Sequence, residues 1–194
     1  MRLRYLLPIV AVVFLALLIS PERIMAMLTG DFGYKLAAAA IDDTRNVVIY
    51  DGSYQKIPYP RGDVAPNRGV CTDVIIRAYR QFDIDLQERV HRSLGGDRNI
   101  DHRRVPNLMR YFAKHGQSLP ISQDPKAYKP GDIVTYSMAG GISDHIAIVS
   151  GRWSWDFRRP LIVHNEGFGP KLDDKLFAYR ITGHYRYRPK LSQD

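Results

Sequence analysis

Cys71 is the single cysteine in a chain of 194 residues, and it opens the segment Gly69-Val70-Cys71-Thr72-Asp73-Val74-Ile75-Ile76-Arg77-Ala78-Tyr79. Positions 71, 74, 75, 78, 79 and 82 share one side of a 3.6-residue period, which predicts a helix from Cys71 to near Asp83 with the thiol in its first turn. The free N–H groups and dipole of a helix start favour the thiolate, the nucleophilic form. Such a thiol is a nucleophile if a base stands near it, and a small buried hydrophobe if none does. Of the six histidines, His91, His102, His115, His145, His164 and His184, two sit on strand-like runs. His145 begins His145-Ile146-Ala147-Ile148-Val149 after the flexible run Gly140–Asp144, and His164 closes Pro160-Leu161-Ile162-Val163-His164. Alternation puts His145, Ala147 and Val149 on one face, where small Ala147 leaves room for a helix. Each histidine taken alone also reads as a hydrogen-bonded residue of a sheet edge.

The elements that must position these groups follow from pattern. Residues 34–44 are rich in strong helix formers, 46–50 read as a short strand ended by Asp51-Gly52, and 53–67 carry Pro58, Pro60, Gly62 and Pro66 and so form a loop. A loop of that length in a small domain has a task, here delivering the chain to Cys71. Helices are predicted at 86–94 and 104–115, each stopped by glycine. Strands are predicted at 133–136, 145–149, 160–164 and 176–181. Helices first and strands after is an α+β order, with helices packed on one face of an antiparallel sheet and the cysteine where the two meet.

Arg2 and Arg4 precede the 14-residue apolar run Leu6–Ile19. This predicts residues 1–26 to be a signal peptide or an N-terminal membrane anchor, and 27–194 to be one domain outside the cytoplasm, periplasmic or in the cell envelope. With one cysteine, that domain must be held by packing rather than by disulfides. The 28 basic and 20 acidic residues leave a net charge of +8, spread along the chain, which suits an anionic envelope or is simply a solvated basic surface. No nucleic-acid motif is present, and an exported chain argues against that partner.

Lys129-Pro130-Gly131-Asp132-Ile133-Val134, then Asp144–Gly151 and Ile162-Val163-His164, all after a cysteine at a helix start, resemble the NlpC-type branch of the papain-like cysteine peptidases, which cleave peptide bonds in bacterial peptidoglycan. Tyr59–Val64, Gly69–Ile75, Arg98–Leu108 and Val163–Asn165 resemble more closely a bacterial family of exported proteins of unknown function assigned to that superfamily. The resemblance implies a papain-like fold with Cys71 as nucleophile, His145 as general base and His164 as the residue that holds the His145 tautomer. Asn165 is the alternative for the third role, since papain itself uses asparagine and one step of register exchanges the two. The backbone N–H of Cys71 is then the oxyanion donor. The chain departs from the superfamily's Asp-Cys-Ser-Gly, carrying Val70-Cys71-Thr72-Asp73 instead.

Tyr59, Asp73, His102 and Arg103 are substrate-binding candidates. Tyr50, Tyr54 and Tyr59 can line a cleft beside the thiol, and the guanidiniums of Arg103 and Arg104 suit carboxylates such as those of wall stem peptides. Each also has a structural reading: Asp73 and Asp101 as helix caps, the arginines as partners of internal acids. The resulting expectation is a thiol hydrolase of peptidoglycan or related envelope peptides, without cofactor or metal. The alternative is a non-catalytic envelope-binding module on the same fold. A metal site from His102, His145, His164 and an aspartate is a third arrangement, though no HExxH or paired-cysteine spacing occurs.

Overall fold

The computed structural model describes residues 20–138 and 144–189. The apolar run Leu6–Ile19, with its signal or anchor reading, and the glycine run 140–143 lie outside them. Among the described residues, five helices and two short 3₁₀ turns accompany a sheet. In chain order the helices are α1 (Pro21–Thr29), α2 (Phe32–Asp43), α3 (Cys71–Arg80), α4 (Leu86–Leu94) and α5 (Val105–His115). The strands are β1 (Ile49–Tyr50), β2 (Arg68–Gly69), β3 (Gln117–Ser118), β4 (Ile133–Ser137), β5 (His145–Trp153), β6 (Pro160–His164), β7 (Lys171–Asp173) and β8 (Arg180–Arg186). β1 and β2 form a parallel pair, and the rest form one antiparallel sheet in the order β3-β8-β4-β5-β6-β7. This is the α+β arrangement expected, and among the described residues no helix is long and apolar enough to cross a membrane.

Alternation along the strands divides the core in two. Ile133, Ile146, Ile148, Val163 and Tyr185 face the helices and pack with Leu36, Val74, Ile75, Tyr79, Leu108 and Phe112. Val134, Tyr136, Ala147, Val149 and Ile162 face the other way, under Tyr128 and Leu176. Helices therefore cover one face, while the connections around Tyr128 and Leu176 cover the other. Ala147 belongs to this second face, so the room it leaves is filled by the Tyr136 and Leu176 side and not by an approaching helix.

Helix α1 runs across residue 26: Ser20 caps it, Glu22 is buried against Arg152 of β5 at 2.8 and 3.2 Å, and Ala26 is buried. One expected boundary is corrected. The strand expected at 176–181 lies instead at 180–186. Leu176, Phe177 and Tyr179 are turned onto the far face of the sheet, whereas Gly183 and His184 continue the ladder beside β4. β7, a polar edge strand, has no apolar alternation to announce it.

The Lys129–Asp132 turn is a structural joint. Asp132 is fully buried. It accepts from His184 Nε2 at 2.9 Å, from Arg186 at 2.7 and 2.8 Å, and from the Lys129 N–H at 2.8 Å. Burial pushes its carboxyl up, but these bonds outweigh it and hold the group below the usual range. Gly131 has φ +78°, and a Cβ there would stand 2.6 Å from the backbone of Gly33 at the start of α2. Gly131→Ala is expected to cost about 2–4 kcal/mol, from a left-handed backbone plus that overlap, read as a lowered urea midpoint at constant slope.

Candidate active site

The site begins with how the chain reaches Cys71. Pairing of Ile49 with Arg68 and of Tyr50 with Gly69 closes the 53–67 loop, so Val70 enters α3 directly from β2. The loop is pinned from the helix side: Arg77 and Arg80 pair with Asp63, and Asp85 and Gln87 accept the N–H groups of Arg61 and Gly62. At the helix start Asp73 Oδ2 accepts the Val70 N–H at 2.6 Å, the capping role weighed above. Both Asp73 oxygens also receive Arg103 at 2.9 Å in an ion pair with side-chain exposures of 3% and 2%. Arg103 donates further to the Asp51 carbonyl at 3.1 Å, and its own carbonyl accepts the Thr72 hydroxyl at 3.0 Å. Asp73 and Arg103 thus fix the cysteine turn against its neighbours and are spent on one another.

Cys71 is buried at 4% exposure, and burial pushes its thiol up to about 11. Three neighbouring groups oppose that rise: the Ile146 N–H of β5, the Thr72 N–H and the Tyr50 hydroxyl. Tyr50 is in turn pushed up to about 12, by burial and by the facing thiol. An open cleft of about 540 Å³ lies over the sulfur, lined among others by Tyr50, Arg104, Asn107 and Asp144. The Arg104 side chain is 61% exposed, with Asp101 at 4.0 Å. The cleft thereby offers one cationic and one anionic group beside the thiol.

On the strand that supplies the Ile146 N–H, the preceding residue is His145. Its Nε2 is hydrogen-bonded to His164 Nδ1 at 2.8 Å, with the rings edge to face. Both rings are buried, on the face shared with Tyr136, so the sulfur meets the start of β5 from the helix side and the imidazoles from the other. No hydrogen bond joins Cys71 to His145 among the described residues. Burial and then the neighbouring His164 lower His145 to about 4, which keeps the ring neutral at pH 7. His164 is lowered by burial, offset by the Glu166 and Asp173 carboxylates at 3.8 and 3.6 Å.

Of the two residues considered for the third position, the structure brings His164 to His145. Asn165 is turned away and accepts the Gly167 N–H at 3.1 Å, shaping the turn after β6. His102 is buried without a protein partner for Nδ1, and burial lowers it to about 4. Tyr59 stacks edge-on against His91 and lies under Arg98, away from the cleft, where Tyr50 takes the place beside the sulfur. Asp101 accepts the Asp97 N–H and does not cap α5.

Asp144, Glu166, Asp173 and Lys175 were not singled out in the sequence. Adjacency to His145 was the signal for Asp144, while the other three come together only through the β6–β7 hairpin. His145, His164 and Glu166 have ligand atoms within 4.8 Å of one another, and His102 is not among them. The two facing nitrogens already share a hydrogen bond and the Lys175 ammonium holds Glu166, while the far nitrogen of His164, Nε2, has no hydrogen-bond partner.

Comparison with known proteins bears on the whole of this frame. The family model described as "Domain of unknown function (DUF1287)" matches residues 37–187, from α2 to just past β8. The chain belongs to the DUF1287 family. A relative, "Uncharacterized protein YijF" of Escherichia coli (strain K12), is 40% identical over 166 aligned residues, covering 78% of this chain and 80% of that protein. No solved structure matches. The stretch that the DUF1287 model matches contains Tyr50, Cys71, Asp73, Arg103, His145, His164 and Asp173 together.

Proposed function

We propose that this DUF1287 protein is a thiol hydrolase of the bacterial cell envelope, a papain-like, NlpC-type cysteine peptidase or amidase acting on peptidoglycan or related peptide amides outside the cytoplasm. The observation that carries the reading is the thiol at the start of α3, met by the Ile146 N–H one residue from an imidazole that is itself hydrogen-bonded to a second imidazole. His145 Nδ1, the nitrogen not used in the pair, takes the thiol proton as sulfur adds to the substrate carbonyl. The oxyanion lies at the α3 start, toward the Cys71 N–H. The His145 proton then passes to the leaving amine as the C–N bond breaks, leaving a thioester. Water attacks the thioester with His145 again the base, releasing a carboxylic acid and the thiol. The Cys71–His145 bond closes with substrate, as catalytic hydrogen bonds commonly do. Arg104 and Asp144 suit a peptide carrying both a carboxylate and an amine.

The test is release of fragments from purified peptidoglycan and from model peptide amides, followed by mass spectrometry, for the wild type and Cys71→Ala. Fragments with new amine and acid ends are expected, with a loss of roughly 10³-fold or more in the variant. Equal release by both, or none by the wild type on any wall or peptide amide, overturns the reading. The burial of Cys71 favours a second reading, a binding module on the same scaffold that uses its basic surface. Alkylation discriminates between them, since a sulfur inert to iodoacetamide at pH 7 with and without wall fragments belongs to the second.

A further inference from the structure

The imidazole pair raises a question of direction that the catalytic scheme alone leaves open. One proton lies between His145 Nε2 and His164 Nδ1, 2.8 Å apart. If His145 donates it, His145 Nδ1 carries a lone pair and can accept the thiol proton. If His164 donates it, His145 must carry its proton on Nδ1 and is useless as a base. What decides is the far side of His164. Its Nε2 is buried and makes no hydrogen bond, and Asp173 Oδ2 stands 3.6 Å away, beyond hydrogen-bond length but close in charge. Glu166 lies nearer to Nδ1, at 3.8 Å, and would favour a proton there, the wrong arrangement. It is engaged elsewhere, by the Lys175 ammonium and by the Tyr179 hydroxyl at 3.2 Å.

Resting on the thiol-hydrolase reading, we propose that Asp173 is a positioning residue. Its carboxylate keeps the His164 proton on Nε2, so that His164 Nδ1 accepts from His145 and His145 Nδ1 is left free for the Cys71 proton. Its charge also opposes that of the imidazolium formed when the thiol gives up its proton. The other groups around the pair are Tyr136 from β4, Tyr179 and Lys175 from the segment between β7 and β8, Glu166 after β6 and Asp144 before β5. Lys175, 3.5 Å from Asp173, bridges the two carboxylates, which leaves Asp173, among the described residues, the one acid set at Nε2.

Proton–nitrogen correlation NMR of the imidazoles reads the tautomers directly, without substrate. In the wild type at pH 7 both His145 and His164 are expected as Nε2–H forms. Asp173→Asn is expected to move His164 toward Nδ1–H and to lower hydrolysis roughly tenfold or more, in the direction seen when a catalytic histidine loses its tautomer control. Asp173→Glu should restore both signals. An Nδ1–H form of either ring in the wild type overturns the inference with no variant needed. Unchanged tautomers in Asp173→Asn overturn it too, and leave the Cys71→Ala comparison to judge hydrolysis separately. Asp173 lies on the edge strand with its side chain one-third exposed, so the variant is expected to fold.

Discussion

Arg103→Ala is expected to lose roughly 3–5 kcal/mol of stability, because it strands a buried carboxylate. Asp73 is 2% exposed, and with the guanidinium gone it keeps only the 2.6 Å bond from the Val70 N–H. The Asp51 carbonyl loses its donor as well, so the strand pair that feeds α3 loosens together with the cap. Lysine is a poor substitute. A point charge cannot reproduce the two parallel bonds to Asp73 and reach the carbonyl too. Changing both partners, Asp73→Asn with Arg103→Leu, should recover part of the loss, since no uncompensated charge is then left inside. Equilibrium urea unfolding of the three variants checks this. A loss under about 1 kcal/mol for Arg103→Ala would mean that water reaches Asp73, and the cap would then be a surface feature.

The same pair shows where sequence reading reaches and where it stops. That Asp73 could cap its own helix follows from spacing alone, three residues beyond Val70. That its partner is Arg103, thirty positions on, follows from no local pattern, because the 3₁₀ turn at Asp101–Arg103 is placed by the packing of α4 and α5. His145 and His164 were legible as strand ends, and antiparallel pairing of β5 with β6 is what brings them together. Asp173 was not legible. It belongs to a three-residue edge strand in a polar run, and only register, His164 beside Lys171, carries its carboxylate back to the imidazole. The face of β5 was misread for a related reason: alternation fixes which residues share a side, but helix packing decides which side is inner, and here Ile146 and Ile148 met the helices.

Acidification from pH 7 to 4 is expected to remove several kcal/mol of stability through two buried imidazoles. His102 and His145 are each lowered to about 4 by burial, against about 6.5 in an unfolded chain. Between those values the unfolded chain binds protons that the folded one refuses, so unfolding free energy falls as pH falls. The contribution is fully present above about pH 6.5 and is lost on the way down to about 4, at most about 3 kcal/mol for each ring. His164, lowered for the same reason, adds to the slope in the same direction. The loss is a large share of the roughly 5–15 kcal/mol that holds a domain of this size. Carboxylates held low, such as Asp132, act in a lower window, their stabilisation being lost only as pH falls below the ordinary carboxylate range. Urea titrations at half-unit steps from pH 7.5 to 4 measure the slope, and His102→Leu separates the two rings. Nδ1 of His102 has no partner to lose, so the variant should cost little at pH 7 and take away one ring's share of the acid sensitivity. A stability that stays level from pH 7 to 5 would show both rings protonating in the folded protein as they do in the unfolded chain, near the ordinary imidazole value of about 6.5, and burial would then not be what keeps His145 neutral.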